Sequence, residues 1–229
     1  MKKSTRSEKS AFASSKRALL IAGAGSALAV GTVTASASAA PAGPGTRAAS
    51  AKSAASSNDG GYGYTVVRSG IPDDATHFTV SSPQIRDGAF PASAWADAFG
   101  CSGANQQFTL DWHGAPADAK SFAVTMYDPD APTGSGFWHW LEWDIPSHSS
   151  QLTSTAPAGA VVGTDDAGVT GYLGPCPPAG DIAHHYTITV YALDVASLDL
   201  PASTPAAVTV FTMSSHIVGY ARMVVDASR

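Results

Sequence analysis

Short runs of β-branched and aromatic residues dominate the chain from about Tyr64 onward. "HFTV", "QFTLDW", "SFAVTMYD", "FWHWLEWDI" and "HYTITVYALD" are each bounded by Gly, Pro, Asp or Asn, the pattern of β-strands closed by turns. In the last run Tyr186, Ile188 and Val190 fall on one face and Thr187, Thr189 and Tyr191 on the other, the period of a strand in an antiparallel sheet. Helical spacing is scarce. Between Thr212 and Asp226, Met213, Ile217, Tyr220 and Val224 recur at intervals of three or four, which predicts a helix there. "PASAWADAF" adds a further turn of helix, and no internal repeat is present. The pattern predicts a mostly β architecture with a C-terminal helix packed on it.

The first forty residues are patterned differently. Lys2, Lys3, Arg6, Lys9, Lys16 and Arg17 against the single acid Glu8 form a basic start, "ALLIAGAGSALAVGTV" an apolar run, and "ASASAA" a small-residue end. That order is the order of a secretory signal peptide cleaved near Ala39 or Ala40. A transmembrane anchor is the competing reading. The run is rich in glycine, falls short of the about 18 to 20 strongly apolar residues a span needs, and leads into a cleavage-type site. It also lacks a twin-arginine pair, so general secretion is expected. Residues 41–63 are mostly Ala, Ser, Gly and Pro, the composition of a flexible linker or propeptide. Residues 64–229 remain as one domain, long enough to bury a substantial core.

Charge narrows the partners. The whole chain carries −5, but without residues 1–40 seven Lys and Arg stand against seventeen Asp and Glu, a net charge of −10. Such a surface disfavours nucleic acid and anionic membranes, while leaving room for a small anion in one local pocket. Cys101 and Cys176 are the only cysteines, and an exported protein meets oxidising conditions. A bridge between them would close a long loop and contribute roughly 4 kcal/mol; two buried free thiols are the alternative.

Two stretches carry candidate chemistry. In "YDPDAPTGSGFWHWLEWDIP", Asp-Pro favours a turn whose carboxylate accepts backbone N–H groups, and Asp128 stands where a strand ends, a place from which a rigid sheet presents polar groups to a pocket. His139 lies between Trp138 and Trp140. In "GYLGPCPPAGDIAHHY", His184 and His185 open a strand directly after a Gly/Pro loop. Alternation puts His184 with Tyr186 and Ile188, and His185 with Thr187 on the other face. A metal site would draw on Asp128, His139 and His184, but no H-x-H, H-x-x-x-H or C-x-x-C spacing is present and none is expected. Nucleophilic hydrolysis lacks a G-x-S-x-G elbow. Anion binding needs only His and Tyr donors and backbone N–H groups of a tight loop. A carboxylate fits beside an anion if Asp128 holds a histidine in one tautomer and favours its protonated form.

Together the two stretches resemble the phosphatidylethanolamine-binding protein family, also called the Raf kinase inhibitor protein family, and within it the bacterial YbhB/YbcL-like branch. The residues are Tyr127 to Pro146, "GYLGPCPP" from Gly171 to Pro178, and "HHYTITVYALD" from His184 to Asp194. "GCSGAN" and "LDWHGAPADAKSFAV" extend the match upstream. The resemblance implies two antiparallel sheets with a C-terminal helix, and a small cavity for phosphate-like or carboxylate anions. It implies Asp128 as the pocket carboxylate, with Asp130 and Pro132 shaping the turn. His139, five residues before Asp144, becomes the pocket histidine. Gly174, Pro175 and Pro177 become the loop, and His184 and Tyr186 the H-x-Y pair. The sequence departs from the pattern at "QQFTL" after Asn105, where Ser-Pro is usual, and at "DAG" (Asp166 to Gly168), where D-F-G is usual. Family members bind phospholipid headgroups or nucleotides and modulate kinases or proteases.

The resulting expectation is a secreted, non-enzymatic binding protein that holds a phosphate-like or phospholipid-headgroup anion, without cofactor or metal. Two alternatives stand beside it: an inhibitor of a secreted protease or other hydrolase, or of an envelope component, and a His-dependent (phospho)esterase using His139 and His184 as acid and base.

Overall fold

The computed structural model describes residues 69–229. The expected signal peptide, the linker and the first residues of the expected domain lie outside the described residues. The five sequence runs all become strands. "HFTV" is divided between β1 (Thr76–His77) and β2 (Thr79–Ser81), and "QFTLDW" shortens to β3 (Leu110–His113). β4 (Ser121–Asp128) and β5 (Phe137–Pro146) follow. Two short strands, β6 (Gln151–Leu152) and β7 (Val161–Val162), precede β8 (His184–Leu193). "PASAWADAF" supplies one 3₁₀ turn, Ala92–Ala94.

The C-terminal region departs from its expected form. A helix, α1, is present at Ala206–Ser214, but Ile217–Ala227 is a strand, β9. The spacing of Ile217 and Val224 suits a helix, yet seven residues along a strand separate opposite faces. Ile217 is buried and Val224 half exposed. The residues that go inside, Ile217, Gly219, Ala221, Val225 and Ala227, follow a period of two. Ten registered pairs with β8 satisfy the β9 backbone.

Among the described residues the strands form a six-stranded sheet in the order β1-β9-β8-β4-β5-β7 and a three-stranded sheet in the order β2-β3-β6. Each pairing is antiparallel except β1 with β9. Alternation along β4 and β8 sends Phe122, Val124, Met126, Tyr186, Ile188 and Val190 into the core between the sheets, where they meet Phe108, Leu110, Trp112 and Trp140. The other face of the large sheet packs Ala123, Leu141, Trp143, Tyr191 and Leu193 under α1 through Ala206 and Met213. The central strand β4 is therefore buried on both sides and reads as a near-continuous apolar run.

Candidate functional site

Because β4 lies between β8 and β5, the ends of three strands meet. Asp128, the last residue of β4, pairs with Phe137 at the start of β5, while Tyr127 pairs with both Trp138 and Thr187. The β4–β5 register slips by one residue between Met126↔Trp140 and Tyr127↔Trp138, leaving His139 as the extra residue of a β-bulge. Strict alternation would put His139 and Trp140 on opposite faces. The bulge turns the His139 ring to the core side, edge-on to Tyr186 at 5.1 Å between centroids.

The turn after Asp128 forms as the Asp-Pro-Asp sequence dictates: Asp128 Oδ1 accepts the Asp130 N–H at 2.9 Å. Its other oxygen, Oδ2, lies 2.7 Å from His184 Nδ1 and 4.0 Å from His139 Nε2. A carboxylate only accepts, so the short contact places a proton on His184 Nδ1. His184 Nε2 faces Asp181 Oδ2 at 3.3 Å. The Ile182 N–H and His184 hold the Asp181 carboxyl below its ordinary range.

His139 Nδ1 donates to the Leu173 carbonyl at 3.2 Å, which leaves Nε2 as the free lone pair of the neutral ring. Burial pushes its pKa down to about 4, outweighing the attraction of Asp128. Tyr186 is fully buried; burial, and next the Asp128 charge, push its hydroxyl far up, so it stays a donor at all ordinary pH. Its oxygen accepts the Cys176 N–H at 3.3 Å.

The Gly/Pro loop is held from behind. Asn105, at φ 49°, accepts the Gly174 N–H at 2.7 Å and donates to Tyr172 O at 3.0 Å. Tyr172 Oη donates to Ala94 O at 2.9 Å, and Ala96 N–H to Pro175 O at 3.2 Å. A Cβ on Gly174 would stand 2.1 Å from Ala94 O, so this position requires glycine for close approach. A disulfide joins Cys101 to Cys176, and Arg229 Nε donates to Pro177 O at 3.0 Å.

These groups enclose a cavity of about 230 Å³. Of the expected residues, Asp128, His139, His184, Tyr186 and Pro132 line it, together with Phe99, Ala131, Thr133, Phe137, Cys176 and Pro178. The remaining expected residues stand outside this lining. Asp130 turns away to accept the His185 N–H and Nδ1–H at 2.8 and 2.7 Å, and His185 points outward, its pKa raised by that carboxylate. Gly174, Pro175 and Pro177 form the back of the loop, while Cys176 and Pro178 present the wall. Sequence reasoning missed Asp181, although it stands three residues before His184. It also missed Phe99, which no local signal marks: the Cys101–Cys176 bridge brings its segment to the loop.

Thr133 Oγ1 donates to Gly136 O, so this lining hydroxyl is not poised against a histidine as an activated nucleophile would be. Among the described residues no three His, Cys, Asp or Glu side chains converge in the manner of metal ligands.

Comparison with known proteins agrees with this arrangement. The family model described as "Phosphatidylethanolamine-binding protein" matches residues 81–227. The chain is 39% identical over 158 residues to UPF0098 protein YbcL of Escherichia coli (strain K12), covering 65% of this chain and 86% of YbcL. It is 37% identical over 163 residues to LppC of Mycobacterium tuberculosis (strain ATCC 25618 / H37Rv), named as a lipoprotein, covering 70% and 77%. The crystal structure of E. coli YbcL, described as a new member of the mammalian PEBP family, superposes with a TM-score of 0.64 at 37% identity, covering 66% of this chain and 98% of that one. The two sheets, the bulged histidine facing the Asp-Pro turn, and these matches lead to one conclusion: the chain belongs to the phosphatidylethanolamine-binding protein family.

Proposed function

We propose that this protein is an exported, non-catalytic binding protein that holds a phosphate-like group of a small ligand among Asp128, His139, His184 and Tyr186. The observation that carries the reading is His139: a buried, neutral imidazole with Nε2 facing a small cavity beside a carboxylate. An entering anion supplies the charge that makes protonation of His139 favourable. The imidazolium keeps its bond to Leu173 O and donates from Nε2 to the ligand. Tyr186 donates its hydroxyl proton. A ligand oxygen that still carries a proton, as in a monoprotonated phosphate, donates to Asp128, which reconciles the carboxylate with an anion.

The cavity, about 230 Å³, is smaller than the 300–1,000 Å³ usual for drug-sized ligands. It takes a phosphate with a short substituent, and any longer chain lies outside, over Phe99 and Pro178. Export rests on the basic, apolar and small-residue order of the N-terminus and on the disulfide, which persists in oxidising compartments. A family relative named as a lipoprotein is consistent with a place in or beyond the cell envelope.

The test is calorimetric titration with inorganic phosphate and phosphoethanolamine at pH 5 and pH 8. Binding takes up a proton at His139 and, where the free ligand is fully ionised, a second on the ligand, so affinity falls as pH rises, by up to about tenfold per pH unit for each proton taken up. His139→Ala brings the pH 5 affinity down toward the pH 8 value. Equal affinity at the two pH values, or binding untouched in the His139→Ala/His184→Ala double variant, overturns the proposal.

A further inference from the structure

The face of the six-stranded sheet turned away from the histidines carries a second cavity, of about 390 Å³. Two rungs of the sheet build it. Across one, Trp138, Tyr127 and Thr187 are registered neighbours; across the next, Thr125, Thr189 and Arg222 are. The floor is polar although it is buried: Thr125 and Tyr191 are each 3% exposed and Thr189 is 1% exposed. Their hydroxyls are sparingly used. Thr125 Oγ1 and Tyr191 Oη stand 3.5 Å apart, the outer edge of a hydrogen bond, and Thr189 Oγ1 accepts from Arg222 Nε at 3.1 Å. One wall is aromatic, with the Tyr127 and Trp138 rings 4.4 Å apart. Arg222 is held by Thr189 and by the Tyr220 ring, 5.5 Å from its guanidinium carbon.

Arg222 makes no ion pair with any acid among the described residues. Arg222 is exposed at the cavity, so its guanidinium, which no carboxylate of the described residues occupies, is open to the carboxylate of a ligand. The floor decides what else the ligand carries. An aromatic or aliphatic acid would cover the three hydroxyls without answering them, an unfavourable exchange. A ring with hydroxyls of its own answers them, and its C–H face lies against the aromatic wall.

We propose that this cavity is a second small-molecule site, independent of the first, that takes an acidic sugar: a pyranose ring bearing a carboxylate set against Arg222.

The experiment is a titration of the ¹⁵N-labelled protein with glucuronate, glucose and benzoate, followed by amide and indole resonances. Glucuronate shifts the Trp138 indole and the amides of Thr125 and Thr189. Glucose binds at least about tenfold more weakly, because it lacks the charge-assisted bonds, and benzoate is weaker than glucuronate. Arg222→Gln, checked for an unchanged spectrum elsewhere, binds glucuronate no better than glucose. Inorganic phosphate does not displace glucuronate. Absence of shifts at these residues, equal binding of glucose and glucuronate, preference for benzoate, or wild-type affinity in Arg222→Gln overturns the assignment.

Discussion

Single residues in this protein titrate far from their ordinary range because of where the fold puts them. Glu142 lies on β5 with 2% exposure, and its Oε1 has no hydrogen-bond partner. Burial pushes its pKa up to about 7, and the neighbouring Trp140 indole pulls the other way more weakly. The unfolded chain releases this proton near pH 4.5, the folded protein only near 7. Between the two the folded state binds more protons, so the stability from this group is full below pH 4.5 and is lost as pH rises through 7. Glu142→Gln removes that loss. Urea unfolding should show the variant about 2–3 kcal/mol more stable than the parent at pH 8 and nearly equal at pH 4.5; the same difference at both pH values would refute the argument. His139 has the opposite sign. Its folded pKa lies below 6.5, so its contribution is full above 6.5 and is lost as pH falls through 4, and comparing variant with parent at one pH cancels it.

Elements place these residues, and some of that placement is written locally. The Asp128–Asp130 turn, the inward His184 and Tyr186 and the outward His185 follow from Asp-Pro chemistry and a period of two. The bulge at His139 does not. Alternation alone assigns His139 the face opposite Trp140, and only the one-residue slip against β4 returns it to the cavity. The C-terminal segment is a similar case. Its apolar spacing fits a helix, and the free edge of β8 makes it a strand, because pairing there satisfies an entire row of backbone groups. The loop before β8 depends on how closely it approaches its support. Gly174→Ala would drive a methyl into the backbone at Ala94 and Ala96, costing about 2–4 kcal/mol and displacing Leu173, the partner of His139 Nδ1. Gly180→Ala is the control: at φ +80° with nothing within 4 Å, it costs about 1–2 kcal/mol of backbone strain alone. Thermal unfolding that ranks the two in the reverse order would exclude the steric account.

The whole molecule is closed by contacts distant in sequence. The Cys101–Cys176 bridge spans 75 residues and ties the segment carrying Phe99 to the loop carrying the cavity wall. Constraining so long a loop in the unfolded chain contributes about 4 kcal/mol. The Cys101→Ser/Cys176→Ser variant should therefore unfold at lower urea, by about 2–4 kcal/mol, and bind phosphate more weakly, because Phe99 and Cys176 both line the cavity. Unchanged stability would show the bridge to be ornamental.

Strands β4, β5 and β8, the Asp128–Asp130 turn and the choice of His184 over His185 were determined by the sequence itself, because each depends on neighbours two or three residues away. The tertiary structure alone decided that β4 stands between β8 and β5, that a bulge aims His139, and that burial removes its proton. Register and burial are properties of strands that meet across tens of residues, and no local window contains them.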